Sequence, residues 1–477
     1  MNKKCQVFTP ENYVIELLDC VDYKKDLYGK KILENSCGDG NILGVIVQRY
    51  INDCLEKGMT KTRIRDGLAR DIYGIEIDEK QYQKCIKNLN CILKDNKIQD
   101  IKWKIYQEDY LRWDEDTKFQ YIVGNPPYIT YSELKENDQK YIRKNFKTCE
   151  KGKFDYCYAF IEKSVEMLSK EGKMSYLIPS SIFKTVFGEK LRDYIKPYIT
   201  NIKDYTQKKI FDKALVKSSI MVLNKCRTGE IMHYQDMTQN IQEQICVKQL
   251  TDKWLFSTKI KEGKRRFGDY FKAAHVVATL LNKAYVLADG KYKITEEGDI
   301  CIYNGNNKQY IIEKEVVRNT ETPRTLRYNK HEKIIFPYRY DKNGLFRFKE
   351  NEFEQLYPGA TLYLKSFENE LSKRKSDNNA KWYEYGRSQA LSGLNRRKLL
   401  MSTVVTNNIE VYKLDKNCIP YAGIYIVECD NNKIYTLNDA VYILKSEKFK
   451  QYALKIGIPI SGNSVRITSK DIENYTF

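Results

Sequence analysis

Histidine is nearly absent: His233, His275 and His331 are the three in a chain of 477 residues. So few, so widely spaced, argue against a histidine-rich metal centre and make a histidine-based catalytic triad a poor candidate. The 13 cysteines include no Cys-x-x-Cys pair. That speaks against a zinc site and a disulfide framework, and for reduced thiols. No apolar run approaches about 18 uncharged residues, so no transmembrane helix is expected. The basic start, Met1-Asn2-Lys3-Lys4, is followed by no apolar stretch and no small-residue cleavage site, so no signal peptide is expected either. The expectation is a soluble, cytoplasmic protein without metal and without membrane contact.

What the chain has is core-forming material and positive charge. Apolar residues make up 42%, with 38 Tyr and 18 Phe, which excludes global disorder. Length alone suggests roughly three domains. The net charge of +19 is regional: residues 1–150 carry +1, residues 151–400 carry +17 and residues 401–477 carry +1. A nearly neutral first part beside a basic, tyrosine-rich middle suits a polyanion lying across one region, and nucleic acid above a membrane surface, because bases stack on aromatics. A solvated basic surface would also explain the charge.

The first half alternates strand-like and helix-like segments. Thr9-Pro10-Glu11 predicts a helix start with Thr9 as N-cap and Pro10 at the first helical position. Strands are expected at 30–33, 71–78, 103–109, 120–123, 174–178 and 218–223. Helices are expected after 41, up to Gly58, then to Leu93, over 154–168 and near Leu191. Such alternation means a doubly wound, mostly parallel α/β sheet covered on both faces. Beyond about 250 the pattern turns irregular, with one helix predicted over 270–281 and short strands after it. The linker is placed at 245–260, giving domains at 1–245 and 260–477, the second of mixed α+β type.

Two motifs carry chemistry. The first is Glu34-Asn35-Ser36-Cys37-Gly38-Asp39-Gly40-Asn41, a loop from a strand into a helix. Its glycines let a ligand approach the backbone, and the following helix offers its N-terminus. The dinucleotide fingerprint is incomplete, since Leu43 stands where its third glycine belongs, and a structural turn would look the same. Glu76, ending the second strand, can accept both hydrogen bonds of a ribose diol, and Asp109 can accept from an adenine amino group. The second motif is Asn125-Pro126-Pro127-Tyr128 directly after an apolar strand, a tetrapeptide expected by chance in roughly a few of a thousand such chains. The Asn amide oxygen and a backbone carbonyl of fixed direction present two acceptors to one amino group. Accepting both N–H bonds draws the nitrogen lone pair out of conjugation and makes a poor nucleophile attack. Tyr128 adds a flat face for a planar substrate.

With these motifs in this order, the chain resembles the γ class of N6-adenine DNA methyltransferases, the TaqI-like enzymes of restriction–modification systems. Phe8-Thr9-Pro10, the glycine loop, Glu76, Asp109 and Asn125 to Tyr128 carry the likeness, with Ile178-Pro179 and Leu191-Arg192 as further matches. The resemblance implies S-adenosylmethionine as cofactor, held by Thr9, Glu34, Cys37, Gly38, Gly40, Glu76, Ile77, Asp109 and Asn125. It implies catalysis by Asn125, Pro126, Pro127 and Tyr128 on an adenine flipped out of double-stranded DNA, with Tyr128 and Phe211 stacking on the base. Phe187, or a core role for Phe211, would explain a phenylalanine there equally well. Asn35-Ser36 replaces the Pro-Ala common in the family's loop. Phe267 to Leu287, Ile335 to Tyr338 and Trp382 to Gln389 resemble the family's target-recognition domain. Arg387, Arg396, Arg397 and Lys398 are then candidate DNA contacts, or a solvated basic loop.

Two other readings stay open: a methyltransferase acting on RNA or on protein glutamine, which shares Asn-Pro-Pro-Tyr, and a catalytically degenerate DNA-binding protein. The basic second half favours DNA over the first, and the intact Glu76, Asp109 and tetrapeptide count against the second. No convincing acidic cluster of the Glu-x-Lys nuclease kind is found, so any cleavage is expected of a separate restriction endonuclease, or of none. A monomer is expected.

Overall fold

The computed structural model describes residues 9–206, 217–227, 229–256, 263–303, 309–460 and 464–477. The chain divides into two compact units, Met1–Lys259 and Ile260–Phe477.

The first unit is built on a nine-stranded sheet. Its elements are α1 (Glu11–Cys20), β1 (Ile32–Glu34), α2 (Asn41–Glu56), α3 (Lys61–Asp71), β2 (Ile72–Ile75), α4 (Glu79–Asp95), β3 (Lys104–Tyr106) and β4 (Phe119–Gly124). They continue with α5 (Glu136–Asn145), α6 (Cys157–Met167), β5 (Leu168–Pro179), α7 (Glu189–Ile195), β6 (Ile199–Asp204), β7 (Ser218–Asn224), β8 (Ile231–Asp236) and β9 (Ile241–Cys246). The strand order is β3-β2-β1-β4-β5-β7-β6-β8-β9. β1 to β5 pair in parallel, β7 runs antiparallel to β5 and β6, and β9 is antiparallel to β8. This is the doubly wound α/β sheet expected from the sequence.

Strand periodicity explains how both faces fill. Ile32, Tyr121 and Val123 point into one apolar cluster with α1, α2, α3 and α4. Leu33 and Ile122 point into the other, with α5, α6 and α7. Because the strand order reverses between β1 and β4, a crevice opens outside their carboxyl ends, where ligands bind in such sheets.

Some elements differ from expectation. α1 starts one residue late: Pro10 is its N-cap and its carbonyl accepts from Tyr13 and Val14. α3 was not foreseen, because Lys61–Asp71 buries only Ile64, Gly67, Leu68 and Asp71, too thin an apolar stripe to read. The expected linker is partly packed structure: β9 reaches Cys246, and Val247, Leu250 and Trp254 are buried in the first unit, Trp254 stacked on Phe183.

The second unit is α+β. A four-stranded antiparallel sheet runs Phe271–His275, Ile424–Glu428, Lys398–Met401, Val411–Leu414. Smaller antiparallel sheets and short helices surround it. The helix predicted over 270–281 is therefore wrong. Phe271 and Ala273 alternate inward, and pairing with Ile424–Glu428 overrides the helical preference of the alanines. No described helix is long and apolar enough to cross a membrane.

Candidate active site

The site forms at the crevice, on the ends of β1, β2 and β4. β1 ends at Glu34, whose register partner on β4 is Val123, two residues before Asn125. The loop after β1 is tied to β2 by the Cys37 N–H, which donates to the Ile75 carbonyl at 2.9 Å. Gly38 and Gly40 have φ of +54° and +87°, and α2 starts directly behind them. The Gly38 N–H donates to Glu76 Oε2 and the Asp78 N–H to Glu76 Oε1, both at 2.8 Å. Glu76 is thus fixed against the glycine loop, and its carboxylate keeps lone pairs to offer. Burial raises its carboxyl above the ordinary value, against the pull of these backbone donors. Ile77 is exposed beside it.

Glu34 is enclosed, 2% exposed, and among the described residues its Oε2 has no donor. Burial pushes its carboxyl well above the ordinary range. Asp109 turns back on its own chain: Oδ1 accepts from the Leu111 N–H at 3.0 Å and Oδ2 from Arg112 Nε at 3.2 Å. The Cys37 and Cys85 sulfurs lie 4.0 Å apart behind the loop.

Asn125 leaves β4 into the crevice. Its Nδ2 donates to Thr9 Oγ1 at 3.3 Å, the hydroxyl that the sequence had suggested as a helix cap. Its carbonyl accepts from Ser36 Oγ at 3.2 Å. Its Oδ1 is buried and, among the described residues, accepts from no donor. A buried amide oxygen without a donor costs about 1–3 kcal/mol, so the site holds an acceptor ready for an external N–H. The Tyr128 phenol donates to the Leu177 carbonyl at 2.9 Å, which anchors the half-buried ring.

Residues 27–211 match the Eco57I restriction-modification methylase family. Over those residues the chain is similar to Eco57I-like restriction–modification methylase domains. The type II methyltransferase M.BstVI of Geobacillus stearothermophilus is 32% identical over 201 residues, 40% of this chain and 36% of its own. The type II restriction enzyme and methyltransferase RM.Eco57I of Escherichia coli is 22% identical over 96% of this chain and 55% of its own length. The chain thus spans between about a third and just over half of these two relatives. Among solved structures, the type IIL restriction–modification enzyme MmeI in complex with DNA is similar with a TM-score of 0.63 at 13% identity, over 99% of this chain and 69% of that one. A nuclease-deletion mutant of the type ISP enzyme LlaGI follows at 0.57 and 13%, over 98% and 46%. At such identity both likenesses are likenesses of fold.

Within the first unit, two sets of contacts could not be read from the sequence. Asn35 Nδ2 donates to Ser164 Oγ at 3.0 Å and to the Tyr176 phenol, and Ser164 also meets Tyr110 at 2.8 Å. This buried network joins the glycine loop to α6, β5 and the residue after Asp109. Asp155 is the second: it bridges Thr130 antiparallel, and the Tyr156 N–H donates to the Ile129 carbonyl at 2.9 Å, so the segment after the tetrapeptide is clamped to the start of α6. Phe211 lies outside the described residues.

The second unit alters one expected DNA contact. Lys398 is fully buried, and its ammonium donates to the carbonyls of Asp415 at 2.8 Å and Cys418 at 2.9 Å. Burial pushes it down to about 8. A side chain enclosed in this way cannot touch a phosphate, which rules out Lys398 as a DNA contact. Arg387 is paired with Asp377 at 3.0 Å and Arg396 with Asp430 at 2.7 Å, while Arg397 is exposed.

Proposed function

We propose that this chain is a site-specific DNA adenine N6-methyltransferase. The observation that carries the reading is the buried, donorless Oδ1 of Asn125, seated between the cofactor loop and Tyr128. An exocyclic amine is the group that such an acceptor fits, and the glycine loop with Glu76 beside it fits a nucleoside-bearing cofactor. S-adenosylmethionine, when bound, supplies a methyl group on a sulfonium. Gly38, Gly40, Glu76 and Ile77 would hold its nucleoside end, with Asp109 accepting from the adenine amine. Thr9, Glu34 and Cys37 would line the other end.

This chain's own part is positioning and electrostatics. Asn125 Oδ1 and the Pro126 carbonyl accept the two N–H bonds of the target amine and stabilise the positive charge that develops on its nitrogen. Pro127 keeps that carbonyl in place, and Tyr128 offers its ring to the target base, which must leave the stack to arrive. The basic middle of the chain supports duplex DNA as substrate, with the second unit as its reader and Arg387, Arg396 and Arg397 as contacts. A restriction endonuclease would be a separate partner.

The test is tritiated methyl transfer to unmethylated genomic DNA, with modified-base mapping of the product. Label at adenine N6 in one sequence context, reduced about 10²-fold or more in Asn125→Ala, is expected. Label on RNA or protein instead of DNA would overturn the substrate, and no transfer with no cofactor binding would overturn the enzyme.

A further inference from the structure

Two large apolar side chains stand exposed side by side on the edge that carries the site. Val186 is 59% and Phe187 46% exposed. They open the short turn Val186–Gly188, between the end of β5 and α7. β5 runs parallel to β4, so this turn leaves the sheet on the same edge as Asn125 to Tyr128.

The turn is firmly held. Arg192, itself buried, donates to the carbonyls of Ile182 and Thr185, both at 2.8 Å, and to that of Asp252. The Thr185 hydroxyl meets the Tyr158 phenol at 3.1 Å. One exposed apolar residue needs no explanation, but an adjacent pair held outward by a buried arginine at the rim of a site does.

The Phe187 ring lies across Gly152, where a Cβ would fall 2.3 Å from its Cδ1. Gly152 sits between Lys151 and Lys153, both exposed, and its carbonyl accepts from Arg143 at 2.6 Å. The same strand of chain continues to Asp155, which bridges Thr130 just beyond Tyr128. Nearby, Glu150 is ion-paired to Lys190, and Glu189 is an exposed acid. The tip is therefore apolar and flat, its frame is basic, and a short run of backbone joins it to the tetrapeptide. A partner with planar apolar faces on an anionic backbone complements all three.

We infer that Val186 and Phe187 form a wedge that stacks on the bases of duplex DNA at the step beside the target adenine and so favours the unstacked state of that adenine. The inference rests on the reading of the chain as a DNA methyltransferase. It adds a residue outside the tetrapeptide and the cofactor loop whose work is on the DNA.

The experiment compares wild type, Phe187→Ala and Phe187→Tyr as full chains in single-turnover methyl transfer. The substrates are a duplex carrying the mapped site and the same duplex with a mismatch opposite the target, where the adenine is already unstacked. Phe187→Ala is expected to lose roughly tenfold on the matched duplex and less than about threefold on the mismatched one, given what base–aromatic stacking contributes. Cofactor affinity and melting temperature stay at the wild-type values, and Phe187→Tyr restores transfer. A wild-type rate for Phe187→Ala on the matched duplex, or an equal loss on both duplexes, overturns the wedge and leaves the methyltransferase reading standing. Failure of the wild type to methylate any DNA overturns both.

Discussion

Gly38 and Gly40 sit two residues apart in one loop, and the structure asks different things of them. At Gly38, with φ of +54°, a Cβ would meet nothing within 4 Å. At Gly40, with φ of +87°, it would fall 2.9 Å from the Cys85 sulfur, under α4. Alanine at Gly38 carries the left-handed penalty alone, about 1–2 kcal/mol. Alanine at Gly40 adds an overlap that either α4 or the loop must relieve, for a total of about 2–4 kcal/mol. We expect Gly40→Ala to melt several degrees lower and to bind S-adenosylmethionine at least tenfold more weakly, with Gly38→Ala the less destabilised of the two. Calorimetric titration and thermal unfolding read both, and equal behaviour of the two variants would refute the steric argument. These glycines were legible in the sequence, as were Glu76 and Asn125, because short motifs bring their neighbours with them. The contacts of Asn35 and Asp155 were not. Their partners, Ser164 and Tyr176 for one and Thr130 for the other, are local only after the sheet has formed.

At the level of elements, legibility followed burial pattern. Central strands such as β4 and β5 are buried on both faces and stand out as apolar runs. The edge strand β9, with its half-exposed alternation, and the thinly apolar α3 did not. The join between the tetrapeptide segment and α6 is an element-level feature with a measurable consequence at Asp155. Burial pushes its carboxyl from 3.8 up to about 6, partly offset by the Cys157 N–H, which donates to Oδ1 at 3.2 Å. The folded value lies above the unfolded one, so the folded chain favours the neutral acid. That contribution to stability is fully present below about pH 4 and is lost as pH rises through about 6. Asparagine keeps the acceptor for Cys157 and removes the titration. Asp155→Asn is expected to be more stable than wild type above about pH 7, by on the order of 1–2 kcal/mol, with the difference vanishing below pH 4. Melting temperatures across that range check it, and a difference independent of pH would rule out Asp155 as the titrating group.

For the whole molecule, the decisive quantity is where the charge lies. Residues 1–150, which hold β1 to β4, the glycine loop and the tetrapeptide, are nearly neutral at +1, and residues 151–400 carry +17. The two ligands proposed here should therefore differ sharply in their response to salt. A small cofactor seated among Glu34, Glu76 and Asp109 displaces few counterions, and its affinity should change less than about threefold between 50 and 200 mM salt. Duplex DNA laid on the basic part releases about one counterion for each phosphate neutralised, with a slope of about −0.9 per contact in log affinity against log salt. With about six contacts or more, DNA affinity should fall about 10³-fold over the same range. Measuring both ligands on the same preparation separates a specific polyanion surface from general loss of fold, because unfolding would weaken both. Charge that only solvates the surface gives a shallow slope for DNA, and that result would remove duplex DNA as the reason for the basic middle of the chain.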